Sequence, residues 1–251
     1  MFLNDGIQYF IQSDYGQARF SFEKAYTMYK ELTPQNKLGE ADSLFYLAQI
    51  ALQESNFESV KDYLERAHEI YKQNQSAQGI VRCFFTLGEI DSRFSNYERA
   101  LERYNEALPL YRLIKDQQGE ANCLESIGST YITLNQFPQA EEALKKAIPL
   151  YEQTGDVKGK ATSLFDLSRI ALYSGKHEEV EIHLPPAQAL FNQIGDMQGR
   201  ANCSMLLGDY ALSQARHLEA EELYNQALPI YYRIHDLIGI GNCNRGLGDV
   251  A

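Results

Sequence analysis

The sequence has no long apolar run and carries an excess of acidic residues. No stretch of about 20 apolar residues is present, so we expect no membrane-spanning helix. The amino terminus lacks the basic stretch and apolar core of a secretory signal peptide. Lys and Arg number 23 against 34 Asp and Glu, which gives a net charge of −11. Because this charge repels polyanions, we expect no nucleic-acid partner. Because neither an apolar span nor a signal peptide is present, we expect no membrane partner and a cytoplasmic location.

Residue patterns that carry chemistry are also missing. No two cysteines are separated by two residues, and no histidine has a second histidine three or four positions away, so we expect no metal site. The glycines are spread along the chain and form no phosphate-binding loop. Glutamate pairs such as Glu141-Glu142 begin predicted helices, where carboxylates stabilise the positive helix end. The sequence therefore predicts a protein that is not an enzyme and needs no cofactor.

What the chain does have is an internal repeat. Six glycines recur every 40 residues, and the tract at 118–123 returns almost unchanged at 198–203. A fixed period of this size indicates one helical unit stacked on copies of itself, here a single array over 1–251. The glycines are Gly39, Gly79, Gly119, Gly159, Gly199 and Gly239. The predicted units are about 1–36, 37–76, 77–116, 117–156, 157–196 and 197–236, with a partial unit at 237–251.

Each unit contains two patterns of helical periodicity. The third unit predicts helices over about 79–94 and 98–114, so we expect about thirteen helices and no strands in all. The loop over 33–37 is two residues longer than its equivalents. One predicted core position holds Leu47, Leu87, Ile127, Leu167, Leu207 and Leu247. The next position is small, as in Gly88, Gly128, Gly208 and Gly248, and a mid-helix glycine costs ~1 kcal/mol relative to alanine. Close approach of a neighbouring helix would explain why a small residue stands there despite that cost.

Cysteine and proline recur at fixed positions of the repeat. We expect the thiols of Cys83, Cys123, Cys203 and Cys243 to be reduced and buried, because serine fills the same position in other units. Pro109, Pro149 and Pro229 come one turn before the end of a second helix and predict a bend there. Pro185-Pro186 comes earlier, and we expect it to interrupt its helix. That interruption is either a local surface distortion or a kink that shapes a contact surface.

In the third unit, the pair Leu87-Gly88 is followed by Ala100, Tyr104 and Ala107. These residues lie at the signature spacings of the tetratricopeptide repeat family, which the sequence resembles over essentially its whole length. The usual repeat has 34 residues, and the extra length and Gly-Asp linkers here resemble a long-repeat branch. That branch includes kinesin light chains, Pins/LGN polarity adaptors and the sensor arms of STAND-type signalling ATPases. The signature tryptophan is replaced by Leu44, Phe84, Leu124 and Leu164. The resemblance implies an all-α, right-handed superhelical solenoid of antiparallel helix pairs.

The resemblance also implies that the first helices line a concave face. Asparagines on this face could hydrogen-bond the backbone of an extended peptide, and its phenylalanines could contact the face of a helix. Alternatively, the asparagines cap neighbouring loops and the phenylalanines fill the core. The candidate peptide-binding residues are Phe45, Arg82, Phe85, Glu89, Asn122, Glu125, Phe165, Arg169, Asn202, Met205, Asp209, Asn242 and Arg245.

Three functions fit these observations. The preferred interpretation is a non-enzymatic scaffold that binds a protein or peptide in its concave groove. The second is the ligand-sensing regulatory arm of a larger STAND-type ATPase. The third is a structural array that self-associates through uncapped ends, because both ends of the sequence fall inside a repeat.

Overall fold

The computed structural model describes residues 2–32 and 36–250, and within them every regular element is helical. No helix in these two ranges is both long enough and apolar enough to cross a membrane. Residues 33–35 of the predicted long loop lie outside the described residues. The α-helices are α1 (Phe2–Ile11), α2 (Tyr15–Thr27), α3 (Lys37–Gln53), α4 (Phe57–Gln73), α5 (Ala77–Arg93), α6 (Tyr97–Leu113), α7 (Gln117–Thr133), α8 (Phe137–Thr154), α9 (Val157–Tyr173), α10 (His177–Ile194), α11 (Met197–Ser213), α12 (His217–Ile234) and α13 (Leu237–Val250). A short π-helical turn, Met28–Leu32, follows α2.

The chain divides into two compact units, residues 1–123 and 124–251, with the boundary inside α7. In the first unit, α1 packs on α2, α3 on α4 and α5 on α6. In the second unit, α9 packs on α10 and α11 on α12, while α13 contacts α12. Turns as short as 54–56 join the members of a pair, so consecutive helices run antiparallel. The predictions of an all-α fold of helix pairs and of about thirteen helices are confirmed for the described residues.

The glycines of the 40-residue period lie in the first turn of their helices and pack against a ring. The N–H of Gly199 donates to Asp196 Oδ1 at 2.8 Å, and Gly159 donates to Asp156 in the same way. A Cβ atom on Gly199 would lie 2.2 Å from the ring of Phe191. Similar overlaps occur at all six glycines, whose ring partners are Tyr29, Tyr71, Tyr111, Tyr151, Phe191 and Tyr231. The period therefore marks places where an aromatic ring of a second helix covers the start of the next first helix.

The mid-helix glycines Gly88, Gly128 and Gly208 show the predicted close approach within a helix pair, whereas a Cβ atom on Gly248 would meet no neighbouring atom within 4 Å. A Cβ atom on Gly88 would lie 2.5 Å from Tyr104, and one on Gly208 would lie 2.7 Å from Tyr224. The equivalent distance from Gly128 to Leu144 is 2.8 Å. The predicted core position is buried at Leu47, Leu87, Ile127 and Leu167, whereas Leu207 and Leu247 are half-buried.

The cysteines are free and completely buried, as predicted. Burial raises the pKa of the Cys83, Cys123 and Cys203 thiols to about 12 and that of Cys243 to about 11. Because the thiolate is the reactive form, both exclusion from solvent and the raised pKa make these thiols inert.

Alkylation with iodoacetamide under native conditions should therefore label Cys123 and Cys203 slowly, with both reacting at once after unfolding in urea. Peptide mass spectrometry of timed samples measures the two rates. Native labelling as fast as that of the unfolded chain would place these thiols on the surface and contradict the packing.

The prediction that Pro185-Pro186 interrupts its helix is wrong. Helix α10 continues through both prolines from His177 to Ile194. Leu184 and Ala187 flank the prolines and are completely buried, so packing on both sides holds the helix although two backbone donors are lost. Helices α6, α8 and α12 likewise continue past Pro109, Pro149 and Pro229. The bend at those three prolines stays a prediction.

Candidate functional site

In the first unit, the predicted residues Phe45 and Arg82 belong to a fixed cluster on the neighbouring first helices α3 and α5. The guanidinium carbon of Arg82 lies 3.8 Å from the centre of the Phe45 ring, and its Nη1 lies 3.5 Å from Asp42 Oδ1. The hydroxyl of Tyr71, on α4, donates to the same carboxylate at 2.6 Å. A cation on an aromatic face is attracted by the ring, so Arg82 is held by a ring and a carboxylate while one side stays open to solvent.

Phe85 and Glu89 continue this face along α5. The Phe85 ring centre lies 5.7 Å from that of Tyr104 and 6.1 Å from that of Tyr111, so one edge of Phe85 packs into the helix pair. Both Phe85 and Glu89 are half-buried. Burial raises the pKa of the Glu89 carboxyl, and the nearby Arg93 partly opposes the shift.

The predicted residues on α7 fall on either side of the boundary between the units. Asn122 lies in the first unit, where its Oδ1 accepts a hydrogen bond from Gln118 Nε2 at 2.9 Å. Glu125 lies in the second unit, close to Tyr151. Burial raises the pKa of Tyr151, and the charge of Glu125 raises it further. Both α7 side chains are half-buried.

In the second unit, a buried tyrosine orients the predicted residue Asn202. The hydroxyl of Tyr231, on α12, donates to Asn202 Oδ1 at 2.7 Å and lies 3.8 Å from the sulfur of Met205. Tyr231 is completely buried, so this phenol has a fixed position under the α11 face. Because the phenol occupies the amide oxygen, the amide nitrogen of Asn202 remains to donate to a ligand.

The same construction recurs at Asp209, two helical turns along α11 from Asn202. Tyr224, on α12, donates its hydroxyl to Asp209 Oδ1 at 2.7 Å. Burial raises the pKa of Asp209, while the Tyr224 hydrogen bond and the charge of Arg245 oppose the shift. On the neighbouring helix α13, Arg245 Nη2 donates to Asn242 Oδ1 at 2.5 Å. Helices α11 and α13 thus present two amides, a carboxylate and a guanidinium on adjoining surfaces of the second unit.

On α9 the predicted residues are more deeply placed. Phe165 is only 9 % exposed and packs in a core cluster with Leu164 and Leu206, and Phe45 of the first unit is only 7 % exposed. Arg169 Nη2 lies 3.1 Å from the buried carboxylate of Asp166. Burial raises the pKa of Asp166, which Arg169 opposes. Of the predicted apolar residues Phe45, Phe85, Phe165 and Met205, mainly Phe85 and Met205 are therefore accessible to solvent, and they lie in different units.

The supporting tyrosines Tyr71 and Tyr231 were missed in the sequence because they lie on second helices, whereas the predicted binding residues were taken from first helices. Tyr71 and Tyr231 occupy the same repeat position as Tyr111, Tyr151 and Phe191. Phe191 at one of these positions indicates that the ring packs in every unit. In Tyr71 and Tyr231 the hydroxyl also donates a hydrogen bond to a polar side chain of a first helix.

Three cavities of the described residues lie away from these faces. One of about 180 Å³ is lined by α4, α5 and α6, and another of about 400 Å³ follows it along the same three helices. A third lies on the outer side of α1 and α2 and includes Phe20. None of the three is lined by a predicted binding residue. Within the described ranges, no cluster of His, Cys, Asp and Glu could hold a metal ion.

Residues 83–153 match the family model of the tetratricopeptide repeat. No curated protein sequence matches the chain significantly. Solved structures are similar over 99% of this chain. The STAND signal-transduction ATPase of Pyrococcus horikoshii, which has a tetratricopeptide repeat sensor, shows 15% identity and a TM-score of 0.79 with 38% of its chain covered.

Two further solved structures are similar to this chain. Aspartyl phosphate phosphatase F of Bacillus subtilis shows 17% identity and a TM-score of 0.69 with 69% of its chain covered. The Rap conjugation gene regulator of plasmid pLS20, solved in complex with a Phr peptide, shows 13% identity and a TM-score of 0.62 with 73% of its chain covered. At these identities the similarity establishes the fold. Residues 83–153 therefore carry the tetratricopeptide repeat pattern, and over the rest of the chain the similarity shows the fold alone.

Proposed function

We propose that this protein is a non-enzymatic interaction scaffold whose first-helix faces bind a peptide or protein segment. The observation that carries the proposal is the row of polar side chains on α11 and α13, where Tyr231 fixes Asn202 and Arg245 fixes Asn242. The proposed contacts are Phe45, Arg82, Phe85, Glu89 and Asn122 in the first unit and Glu125, Phe165, Arg169, Asn202, Met205, Asp209, Asn242 and Arg245 in the second.

Fixed amides suit an extended peptide for a physical reason. A backbone carbonyl needs a donor, and the amide nitrogens of Asn202 and Asn242 can supply one without reference to the peptide's side chains. Because Tyr231 and Arg245 already hold the amide oxygens, little rotamer freedom is lost when a ligand binds. Affinity would then come from backbone contacts, with the neighbouring charges selecting side chains.

The charges on the faces give the proposal its selectivity. Arg82 is anchored on Phe45, so its open side would prefer an acidic or aromatic ligand side chain. Asp209 is held by Tyr224 and would prefer a basic one. The peptide complex of the similar Rap regulator supports a peptide as the partner.

Removing the two amides tests this proposal. The double change Asn202→Ala and Asn242→Ala should weaken partner binding about tenfold, because two hydrogen bonds of about 0.5–1.5 kcal/mol each are lost. The matched control is Asn105→Ala with Asn225→Ala, two exposed asparagines on the second helices α6 and α12. The measurement is quantitative mass spectrometry of proteins captured from the source-cell lysate, after circular dichroism shows equal helicity.

If the control pair weakened capture while the α11 and α13 pair did not, the partner would bind the second helices. The scaffold proposal would survive that result, but the first-helix faces would not be the site. If the wild-type protein and both double variants captured the partner equally, neither pair of asparagines would contribute to binding.

A regulatory arm is a second candidate, supported by the similarity to the STAND protein with a tetratricopeptide repeat sensor. This chain covers 38% of that structure, so a nucleotide-binding domain would have to lie in flanking sequence. An antibody against this chain decides the matter by immunoblot of the source cells. Detection of a protein far larger than 28.6 kDa that also hydrolyses ATP would support the regulatory-arm function. Detection of a protein of 28.6 kDa would contradict it.

A further inference from the structure

We propose that the first unit carries a second docking groove, formed by α4, α5 and α6, for an acidic amphipathic helix of a partner protein. The groove contains none of the residues assigned to the first-helix faces. It therefore adds a second binding surface to the scaffold and does not depend on the first.

The groove begins at a cavity of about 180 Å³ with an apolar floor. Phe57 of α4 packs edge-to-face on Phe94, which follows α5, with ring centres 4.7 Å apart. Phe94 is 51 % exposed, and Leu87 and Ile90 complete the floor. A partly exposed aromatic ring above a cavity of this size is a site for one large apolar side chain.

The walls of this cavity are basic in a protein of strongly negative net charge. Lys61, Arg99 and Arg103 line it, against the carboxylates of Glu65 and Asp91. Lys61 approaches Glu65 at 3.8 Å and Arg103 approaches Glu106 at 3.9 Å, each on its own helix, and such exposed pairs contribute little. Arg99 is exposed and belongs to none of the ion pairs described. The walls therefore offer cationic groups that a ligand carboxylate can pair with.

The second unit supplies an internal comparison, because its α8, α9 and α10 are the repeat equivalents of α4, α5 and α6. There Glu141 of α8 pairs across the groove with Lys176 at 3.3 Å, and Lys176 also approaches Glu179 at 3.4 Å. The equivalent residues of the first unit are Lys61, Asn96 and Arg99. Two cations replace two anions, so the first unit cannot form this ion-pair bridge and its walls stay available to a ligand.

The groove extends along the same helices. Arg103 lines the first cavity, and its guanidinium carbon lies 5.8 Å from the ring centre of Phe84, which lines the second cavity of about 400 Å³. Ile80 and Leu110 add apolar surface there, and Lys72 adds a cation against the carboxylate of Glu106. From Phe57 to Lys72 the α4 wall runs for roughly 22 Å, the length of about four helical turns.

The character of the walls determines the occupant. Both walls are helices whose backbone groups are satisfied internally, so an extended peptide would find few backbone partners there. A helix satisfies its own backbone and can place apolar residues at i, i+3, i+4 and i+7 on the floor. Carboxylates flanking that apolar face would pair with Lys61, Arg99 and Arg103. At the equivalent place in the second unit, the ion pairs of Lys176 with Glu141 and Glu179 would exclude such carboxylates.

Fluorescence anisotropy with a labelled peptide of about 15 residues tests this inference. Its helical register carries Leu and Phe on one face and Glu elsewhere, and a second peptide has Lys in place of every Glu. The acidic peptide should bind at least tenfold more tightly than the basic one. Arg99→Glu should weaken the acidic peptide about tenfold, whereas Lys115→Glu, with the same change of charge outside the cavity, should leave its affinity within twofold.

The double change Asn202→Ala and Asn242→Ala should leave the acidic peptide's affinity unchanged, which separates this groove from the first-helix faces. Equal binding of both peptides, equal effects of the Arg99 and Lys115 changes, or no binding of the acidic peptide would each overturn the proposal.

Discussion

Replacing Leu167 by alanine is expected to lower the free energy of unfolding by about 2–5 kcal/mol. Leu167 is 3% exposed on α9 and packs in a core cluster with Ile132, Leu144 and Ile170. Truncation removes its transfer free energy and leaves a cavity that its helical neighbours cannot fully close. Because contacts in a repeat array reach only adjacent helices, the loss should be local to α8 and α9 and their neighbours.

Urea unfolding followed by circular dichroism measures this loss. The matched control is Leu237→Ala, since Leu237 is also a helical leucine but is 80% exposed at the start of α13. The control should change stability by no more than about 0.5 kcal/mol. A neutral Leu167→Ala, or equal losses in both variants, would mean that the repeat frame assigns the core incorrectly.

The second large effect on stability is expected from adding a single methyl group at Gly199. Gly199→Ala should destabilise the protein by about 1–3 kcal/mol through overpacking, although alanine forms helices better than glycine by ~1 kcal/mol. The added Cβ would lie 2.2 Å from the ring of Phe191, which is 4% exposed and cannot move aside freely. The comparison variant is Gly241→Ala in α13, where a Cβ has no atom within 4 Å and alanine should be neutral or stabilising.

Chemical denaturation of both variants measures the difference, and a double-mutant cycle identifies its cause. Phe191→Leu removes the ring, so Gly199→Ala should cost less in that background than in the wild-type protein. If Gly199→Ala stabilised the protein as much as Gly241→Ala, the ring would not fix this glycine, and the period would need another explanation.

The repeat made the fold predictable from the sequence. Six copies of one pattern report the same helix pair, so the predicted helices over 79–94 and 98–114 match Ala77–Arg93 and Tyr97–Leu113 within two residues. Gly88 and Gly208 predicted a close helix approach, and Tyr104 and Tyr224 fill that place. Periodicity averages over copies, so it is most reliable for features that all copies share.

Features that distinguish one copy from another were predicted less well. The rule that proline breaks a helix failed at Pro185-Pro186, because burial of the flanking residues outweighs two lost hydrogen bonds. The frame placed Phe45 and Phe165 on the binding face, although both are nearly buried. The hydrogen bond from Tyr231 to Asn202 depends on two side chains 29 positions apart, which no local pattern reports.

Site-specific photo-crosslinking tests most directly whether a partner lies on the first-helix face of the second unit. A benzophenone amino acid is placed either at Met205, half-buried on α11, or at Asn225, exposed on α12, and each protein is irradiated in the source-cell lysate. The account predicts a discrete crosslinked product from position 205, absent from position 225 and reduced by the Asn202→Ala and Asn242→Ala changes. Crosslinks confined to position 225 would contradict it.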